Sequence, residues 1–337
     1  NTHLPCFYFI YYVIMIKNTY YFHFVINLRI TIIKERSGDM DSGELLKKLR
    51  VERGISQKNL AHNITTRNTL SRYETGKNSI PFVILLEFLD KLNITMDEFV
   101  LYLELDSIRK KNKKIKDFIK ATRENRGSRK YTLEIIRKKA NTTRDIVDIR
   151  NYLIIKTFDW YTLPIEKRKL NKNDKKHLDH FANYLEKVNE WGRFEMISFS
   201  SLLFLFDTNY ISQRLTEIER KIEKYNDFEI FHPILSSLYN NAFLLMLERK
   251  NIHFSKQYLQ KFEATHHRLL FAKDTQISIQ FYKALICHIE GDSIKGRKRI
   301  MKILQGLELL EMDSLINEFK FDLIKFEKIY CIPPIFE

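Results

Sequence analysis

From Gly43 onward, apolar residues recur every three or four positions, the period of helices with one buried face. The first periodic block, Glu44–Arg50, is broken by Gly54-Ile55. Ser56 is placed to cap a second helix, on which Leu60, Ala61 and Ile64 form one apolar stripe. Asn63 tolerates the left-handed backbone that a tight turn needs. Thr65 or Thr66 then caps a third helix, whose dry side is Leu70 and Tyr73 and whose stop is Gly76. A fourth helix, Phe82–Leu92, is entered through Pro81. Thr95-Met96-Asp97-Glu98 has the form of a capping box before Phe99-Val100-Leu101. From Thr142 the helical period continues without strand-like alternation. It predicts helices near Thr143–Trp160, Lys172–Trp191, Phe194–Phe206, Ile211–Tyr225, Pro233–Glu248, Ser255–Phe271, Thr275–Glu290, Ser293–Leu309 and Asp313–Tyr330. The expected fold is all-α: a five-helix head and a body of successive helix pairs.

The third helix carries the first chemistry. With Leu70 and Tyr73 inward, Arg67, Asn68, Thr69 and Arg72 fall on its wet face. Arginine and asparagine pair bidentately with guanine and adenine edges in the major groove, so this face suits a recognition helix. An ordinary solvated amphipathic helix is the bland alternative.

The phrases Leu49-Arg50-Val51-Glu52-Arg53-Gly54-Ile55-Ser56-Gln57, Leu70-Ser71-Arg72-Tyr73-Glu74-Thr75-Gly76-Lys77 and Leu92-Asn93-Ile94-Thr95-Met96-Asp97-Glu98-Phe99 resemble the common wording of the XRE, or Cro/CI-like, helix-turn-helix domain. The resemblance spans the whole module, residues 40–106. It implies that Gln57 touches phosphate and that Arg67, Asn68, Thr69 and Arg72 read bases. Lys58, Lys77 and Asn78 complete the expected DNA-facing set. It also implies a structural ion pair between Arg50 and Glu74; if buried, loss of one partner should cost roughly 3–5 kcal/mol. The turn before the recognition helix lacks the usual glycine and is one residue shorter than in most Cro-like proteins. Which residue reads the first base therefore stays open.

Charge modifies this picture. The 337-residue chain carries a net charge of +15, but residues 40–106 hold 9 basic against 10 acidic side chains. Residues 107–140 hold 14 basic and 3 acidic and form the expected basic helical connector. It could attract phosphate at long range or simply be a solvated helix. Three cysteines (Cys6, Cys287 and Cys331) lack pairing or metal-ligand spacing, which suits a reducing cytoplasm. Residues 1–39 are crowded with Phe, Tyr and Ile, without helical period. Their apolar run Leu4–Ile16 is 13 residues, short of the ~20 that span a bilayer. The expectation is translated upstream sequence with the native start at Met40, Lys34-Glu35-Arg36 being where codons can spell a ribosome-binding site. A membrane-associating arm is the rival.

Antiparallel helix pairs over residues 141–337 suggest an α-solenoid of tetratricopeptide-like (TPR-like) type, although the strict repeat signature is missing. Trp191-Gly192-Arg193-Phe194-Glu195-Met196, followed by Phe199 and a leucine-rich run, is similar to the Trp-x-x-Tyr-Glu block of the Rgg/GadR/MutR family. That resemblance implies a Gram-positive transcription regulator, a homodimer with DNA-binding heads on regulatory and dimerising bodies. In several members the body binds a short hydrophobic signalling peptide.

Asparagine can bond an extended peptide backbone through both donor and acceptor. Asn240 and Asn241, beside Tyr239 in an apolar run, are thus candidate clamps, with helix–helix hydrogen bonding as the alternative. Arg193, Arg150 and Asn151 are further candidates. Tyr210, Tyr239 and Tyr282 could line a groove or simply be core. His266-His267 and Cys287-His288 are adjacent pairs that diverge on a helix. No P-loop, HExxH, GxSxG or CxxC pair occurs. No catalytic residue, metal or cofactor is expected. Three classes remain: a peptide-responsive regulator, a regulator whose body only dimerises or contacts a protein partner, and an adaptor that has lost DNA binding. Arg67 and Arg72 on the wet face weigh against the third.

Overall fold

The computed structural model describes residues 41–103, 126–158, 160, 163, 165–222, 231–266, 273–291 and 293–336. The expectations for residues 1–39, for 107–125 of the connector and for His267 lie outside them. The chain divides into two compact units after Arg129. Among the described residues every regular element is helical.

The head consists of α1 (Ser42–Glu52), α2 (Gln57–Ala61), α3 (Arg67–Glu74), α4 (Phe82–Lys91) and α5 (Met96–Tyr102). Local chemistry sets each boundary. Asp41 caps α1, Ser56 Oγ accepts from Asn59 N at 3.1 Å, and Thr66 Oγ1 accepts from Thr69 N at 3.1 Å. Of the two candidate threonines, Thr66 is therefore the cap. Asn63 takes φ 61° between α2 and α3, and Gly76 takes φ 68° after α3. Thr95 and Glu98 close the capping box of α5. Leu45, Leu46 and Leu49 of α1 meet Leu60, Ala61, Leu70 and Tyr73 of the central pair, and Phe88, Leu89, Leu92 and Phe99 close the core from the other side. Gly43 has a specific reason. A Cβ there would lie 1.9 Å from the Tyr73 carbonyl oxygen, so only glycine lets α1 approach the end of α3 this closely.

The body runs α6 (Arg126–Thr143), α7 (Ile146–Lys156), α8 (Lys172–Lys187), α9 (Arg193–Leu202), α10 (Thr208–Ile222), α11 (His232–Glu248), α12 (Ile252–His266), α13 (Lys273–Ile289), α14 (Ser293–Leu309) and α15 (Asp313–Tyr330). The pairs α11/α12 and α13/α14 pack along their lengths, and α11 also packs on α9 and α15. Residues 234–248 are buried throughout, so α11 is the central helix of the body. Its carboxyl end is tied down by charge. Glu248 accepts from Nη1 and Nη2 of Arg168 at 3.0 and 2.5 Å and pairs with Lys325 at 3.0 Å.

Several predicted boundaries move, for local reasons. The helix predicted over Thr143–Trp160 begins at Ile146, because Arg144 turns left-handed (φ 51°) and Asp145 caps Val147 N and Asp148 N. The helix predicted to run to Trp191 ends at Lys187, where the Trp191 indole N–H folds back onto the Leu185 carbonyl at 3.0 Å. Of the break expected near Asn125–Ser128, residues 126–128 are helical and belong to α6, while Asn125 lies outside the described residues.

Candidate nucleic-acid interface

Helix α3 is fixed from behind. Arg50 Nε and Nη2 donate to the two Glu74 oxygens at 2.6 and 2.9 Å, and Arg50 Nη1 donates to the Ile55 carbonyl at 2.8 Å. Both partners are buried (8% and 2% exposed), so the expected Arg50–Glu74 pair is present as a two-pronged fork. Gln57 Nε2 also donates to Glu74 Oε2 at 2.8 Å. The side chain expected on phosphate is thus engaged in holding α2 against α3. Lys91 of α4 adds a clamp on the carbonyls of Leu60 and His62 at the end of α2, a contact the sequence pattern did not suggest.

On the front face, Arg67, Asn68 and Arg72 are exposed, as are Lys58, Lys77 and Asn78. Helical geometry sets Asn68 and Arg72 one turn apart on one line, with Arg67 about 100° further round the exposed side. Thr69 is half-buried, its hydroxyl sharing a 2.9 Å hydrogen bond with the Thr66 cap. The candidate interface is therefore a short helix with three exposed donor-rich side chains, held at its far end by a buried ion pair.

The body candidates separate into several environments. Arg193 is exposed at the start of α9. The block around it is structural: Glu195 accepts from Gly192 N at 2.9 Å and from the Tyr184 hydroxyl, and Trp191 packs edge-on to Phe199. Tyr239 is buried, its hydroxyl donating to Glu219 at 2.8 Å, where Lys261 also binds at 2.6 Å. Burial, then the Glu219 charge, raises the Tyr239 phenol far above its ordinary range. Tyr282 is core, bonded to Asp322 and packed on Phe243 and Phe281. Tyr210 stacks on Phe206 at 4.9 Å beneath the Arg214 guanidinium.

Asn240 and Asn241 are both buried. Asn241 Nδ2 donates to Ser200 Oγ on α9 at 2.9 Å, the interhelical bond of the bland alternative, yet Oδ1 of both asparagines lacks a partner. Ser200 was missed in the sequence, where the signal was a serine pair inside an apolar helix. Arg150 and Asn151 are also buried, on α7. Among the described residues no three His, Cys, Asp or Glu side chains gather as a metal site would require.

A helix-turn-helix with exposed Arg67, Asn68 and Arg72, followed by stacked helix pairs, defines a helix-turn-helix transcriptional regulator with a helical-repeat domain. Residues 46–99 match the helix-turn-helix family profile. Residues 112–321 match the profile of the HTH-type transcriptional regulator Rgg, C-terminal domain, and the chain belongs to that family.

Similar solved structures agree in fold. A Listeria monocytogenes EGD-e transcriptional regulator superposes with a TM-score of 0.70 at 19% identity, over 88% of this chain and all of that one. The SHP pheromone receptor Rgg2 of Streptococcus dysgalactiae gives 0.62 at 19% identity, over 86% of this chain and 99% of that one. PrgX in its complex with cCF10 gives 0.66 at 14% identity, over 86% and 92%.

Proposed function

We propose that this protein binds promoter DNA as a homodimer, setting Arg67, Asn68, Thr69 and Arg72 in the major groove. The observation that carries this reading is the exposed Arg67/Asn68/Arg72 face on a helix anchored by the buried Arg50–Glu74 fork. Lys58, Lys77 and Asn78 flank it as backbone contacts, which position the module without reading sequence. Residues 40–106 act as the DNA-binding domain, 107–140 as a basic connector and 141–337 as the regulatory and dimerising body. The body senses a short hydrophobic peptide. Similarity to a pheromone receptor and to a peptide-bound PrgX supports this, as do the buried asparagines Asn240 and Asn241 with open acceptors. No described helix is long and apolar enough to cross a membrane, which suits a cytoplasmic protein. The Asn241–Ser200 bond favours a second reading, in which the body only dimerises or contacts a protein partner.

The test is a titration of the protein on a labelled fragment of its own flanking intergenic DNA, with and without synthetic peptides encoded by neighbouring small reading frames. Binding that shifts with one peptide supports the sensor reading. Binding indifferent to every peptide supports the second reading. No binding at low salt by folded protein overturns both.

A further inference from the structure

The head exposes an apolar face that its own core does not use. Helix α4 buries Phe88 and Leu89, while Phe82, Val83 and Leu86 stand 65%, 65% and 40% exposed. At about 100° per residue, Phe82, Leu86 and Asp90 fall on one line of the helix and Val83 and Glu87 on the next. The two lines make one strip, apolar at its amino end and acidic at its carboxyl end. Single exposed apolar residues are ordinary on a protein surface, but a contiguous set rimmed by polar groups marks a contact site.

The acidic end borders a groove. Leu86, Glu87, Asp90 and Lys91 line it from α4, and Asn63 and Ile64 line it from the turn that precedes α3, around a volume of 430 Å³. Lys91 does not neutralise it, because its ammonium is spent on the Leu60 and His62 carbonyls. Glu87 and Asp90 are both exposed, and among the described residues no cation pairs with either. The strip therefore offers an apolar seat followed by two unpaired carboxylates.

Charge selects the occupant. DNA is disfavoured, because its phosphates repel Glu87 and Asp90. A second α4 strip is disfavoured as well. Packed antiparallel, it would set the carboxylates of each copy against Phe82 and Val83 of the other; packed parallel, it would set acid against acid. A helix with apolar side chains at i and i+4, and lysine or arginine one turn further on, complements both halves of the strip. From Phe82 to Asp90 the strip runs about 12 Å, some two turns of a docked helix.

We propose that the α4 strip is a docking surface for a basic amphipathic helix of another protein, which sets its apolar side chains on Phe82, Val83 and Leu86 and its cations on Glu87 and Asp90. This goes beyond the DNA-binding and peptide-sensing reading and depends on neither. Phe82 is the aromatic anchor that carries affinity, whereas the two exposed carboxylates confer specificity. Asn63 and Ile64 lead into α3, so the occupant sits next to the helix assigned to DNA. That position suits a partner bound to the same duplex.

The test uses the full chain and a displayed library of amphipathic helices of about four turns. Apolar residues are fixed at i and i+4, and the flanking positions vary among Lys, Glu, Ser and Ala. Selection on wild type should enrich helices of net positive charge. The best of these, made as a synthetic peptide, should bind at least tenfold more weakly to Phe82→Ser and to a double variant, Glu87→Lys with Asp90→Lys. Selection repeated on the double variant should enrich acidic helices instead. All three side chains are exposed, so thermal melts of the variants should match wild type. Enrichment without a charge preference, or basic helices that bind both variants as they bind wild type, overturns the proposal. A selection that enriches no helix overturns it too. If Phe82→Ser lowers the oligomer mass in sedimentation, a second copy covers the strip; if it weakens duplex binding at fixed salt, DNA does, and either result removes the proposed partner. The exchange of charge preference decides even where Phe82→Ser lowers stability.

Discussion

Arg67 and Glu74 stand at opposite ends of α3 and illustrate two kinds of side chain on one element. Arg67 is exposed and makes no packing contribution to the core, so Arg67→Ala should leave thermal unfolding unchanged. On a specific operator it should weaken binding by about 1–3 kcal/mol, read by fluorescence anisotropy at fixed salt. An unchanged operator affinity would remove Arg67 from the reading set. Glu74 is the converse case. Glu74→Ala strands the Arg50 guanidinium and the Gln57 amide in a buried site, so the head should lose about 3–5 kcal/mol in denaturant unfolding. DNA binding should be lost with the fold rather than by loss of a contact. A near-neutral Glu74→Ala would mean that the fork is dispensable.

At the scale of single helices, α3 depends on its cap. Thr66→Ala should destabilise the head by about 1 kcal/mol, seen as an earlier denaturation midpoint with unchanged slope. Helix α15 makes the opposite kind of prediction, because burial outweighs the partners of its acids. Burial, then the neighbouring Asp322 carboxylate, pushes Glu318 up to about 8, and burial lifts Asp322 to about 6 despite Lys325 and Tyr282. Both folded pKa values lie above the unfolded ones, so the folded body keeps protons that the unfolded chain releases. Stability should therefore fall as pH rises from about 4.5 toward 8, and Glu318→Gln should flatten that decline in a series of thermal melts. A wild-type melting temperature that rises over this interval would contradict the buried-acid reading. Glu248 runs the other way. Burial opposes ionisation, but Arg168 and Lys325 outweigh it, so its contribution is lost only in acid.

How much of this was legible follows from range. Ser56, Thr66, Asn63 and Gly76 act on their own backbone within a turn, so the head's boundaries could be read from spacing alone. The body boundaries moved where a side chain reached back, as Trp191 does to Leu185. The burial of Arg150 was not legible at all, because helices distant in sequence decide what covers it. Likewise, α11 is covered on all sides, so its apolar run could not say which of Asn240 and Asn241 faces a groove.

For the whole molecule, the uneven charge has a consequence for DNA binding. The head segment 40–106 holds 9 basic and 10 acidic residues, while 107–140 holds 14 and 3. The proposed sequence reading by Arg67, Asn68 and Arg72 would be short-range, whereas non-specific affinity comes from counterion release by cations near phosphate. If the connector contributes only a solvated helix, a fragment of residues 40–106 and one of residues 40–140 should show the same dependence of log K on log salt. If its cations meet phosphate, each contact steepens that slope by about 0.9. We expect the second outcome: a clearly steeper slope for 40–140 on non-specific duplex, with the operator-to-random ratio little changed. Neutralising substitutions at Lys110, Lys111, Lys113 and Lys114 in the full chain should recover the shallower slope. Specificity and affinity would then reside in different segments, the first in a nearly neutral head and the second in the basic stretch that follows it. Equal slopes for the two fragments would return the connector to a spacer and leave the whole of DNA recognition to the head.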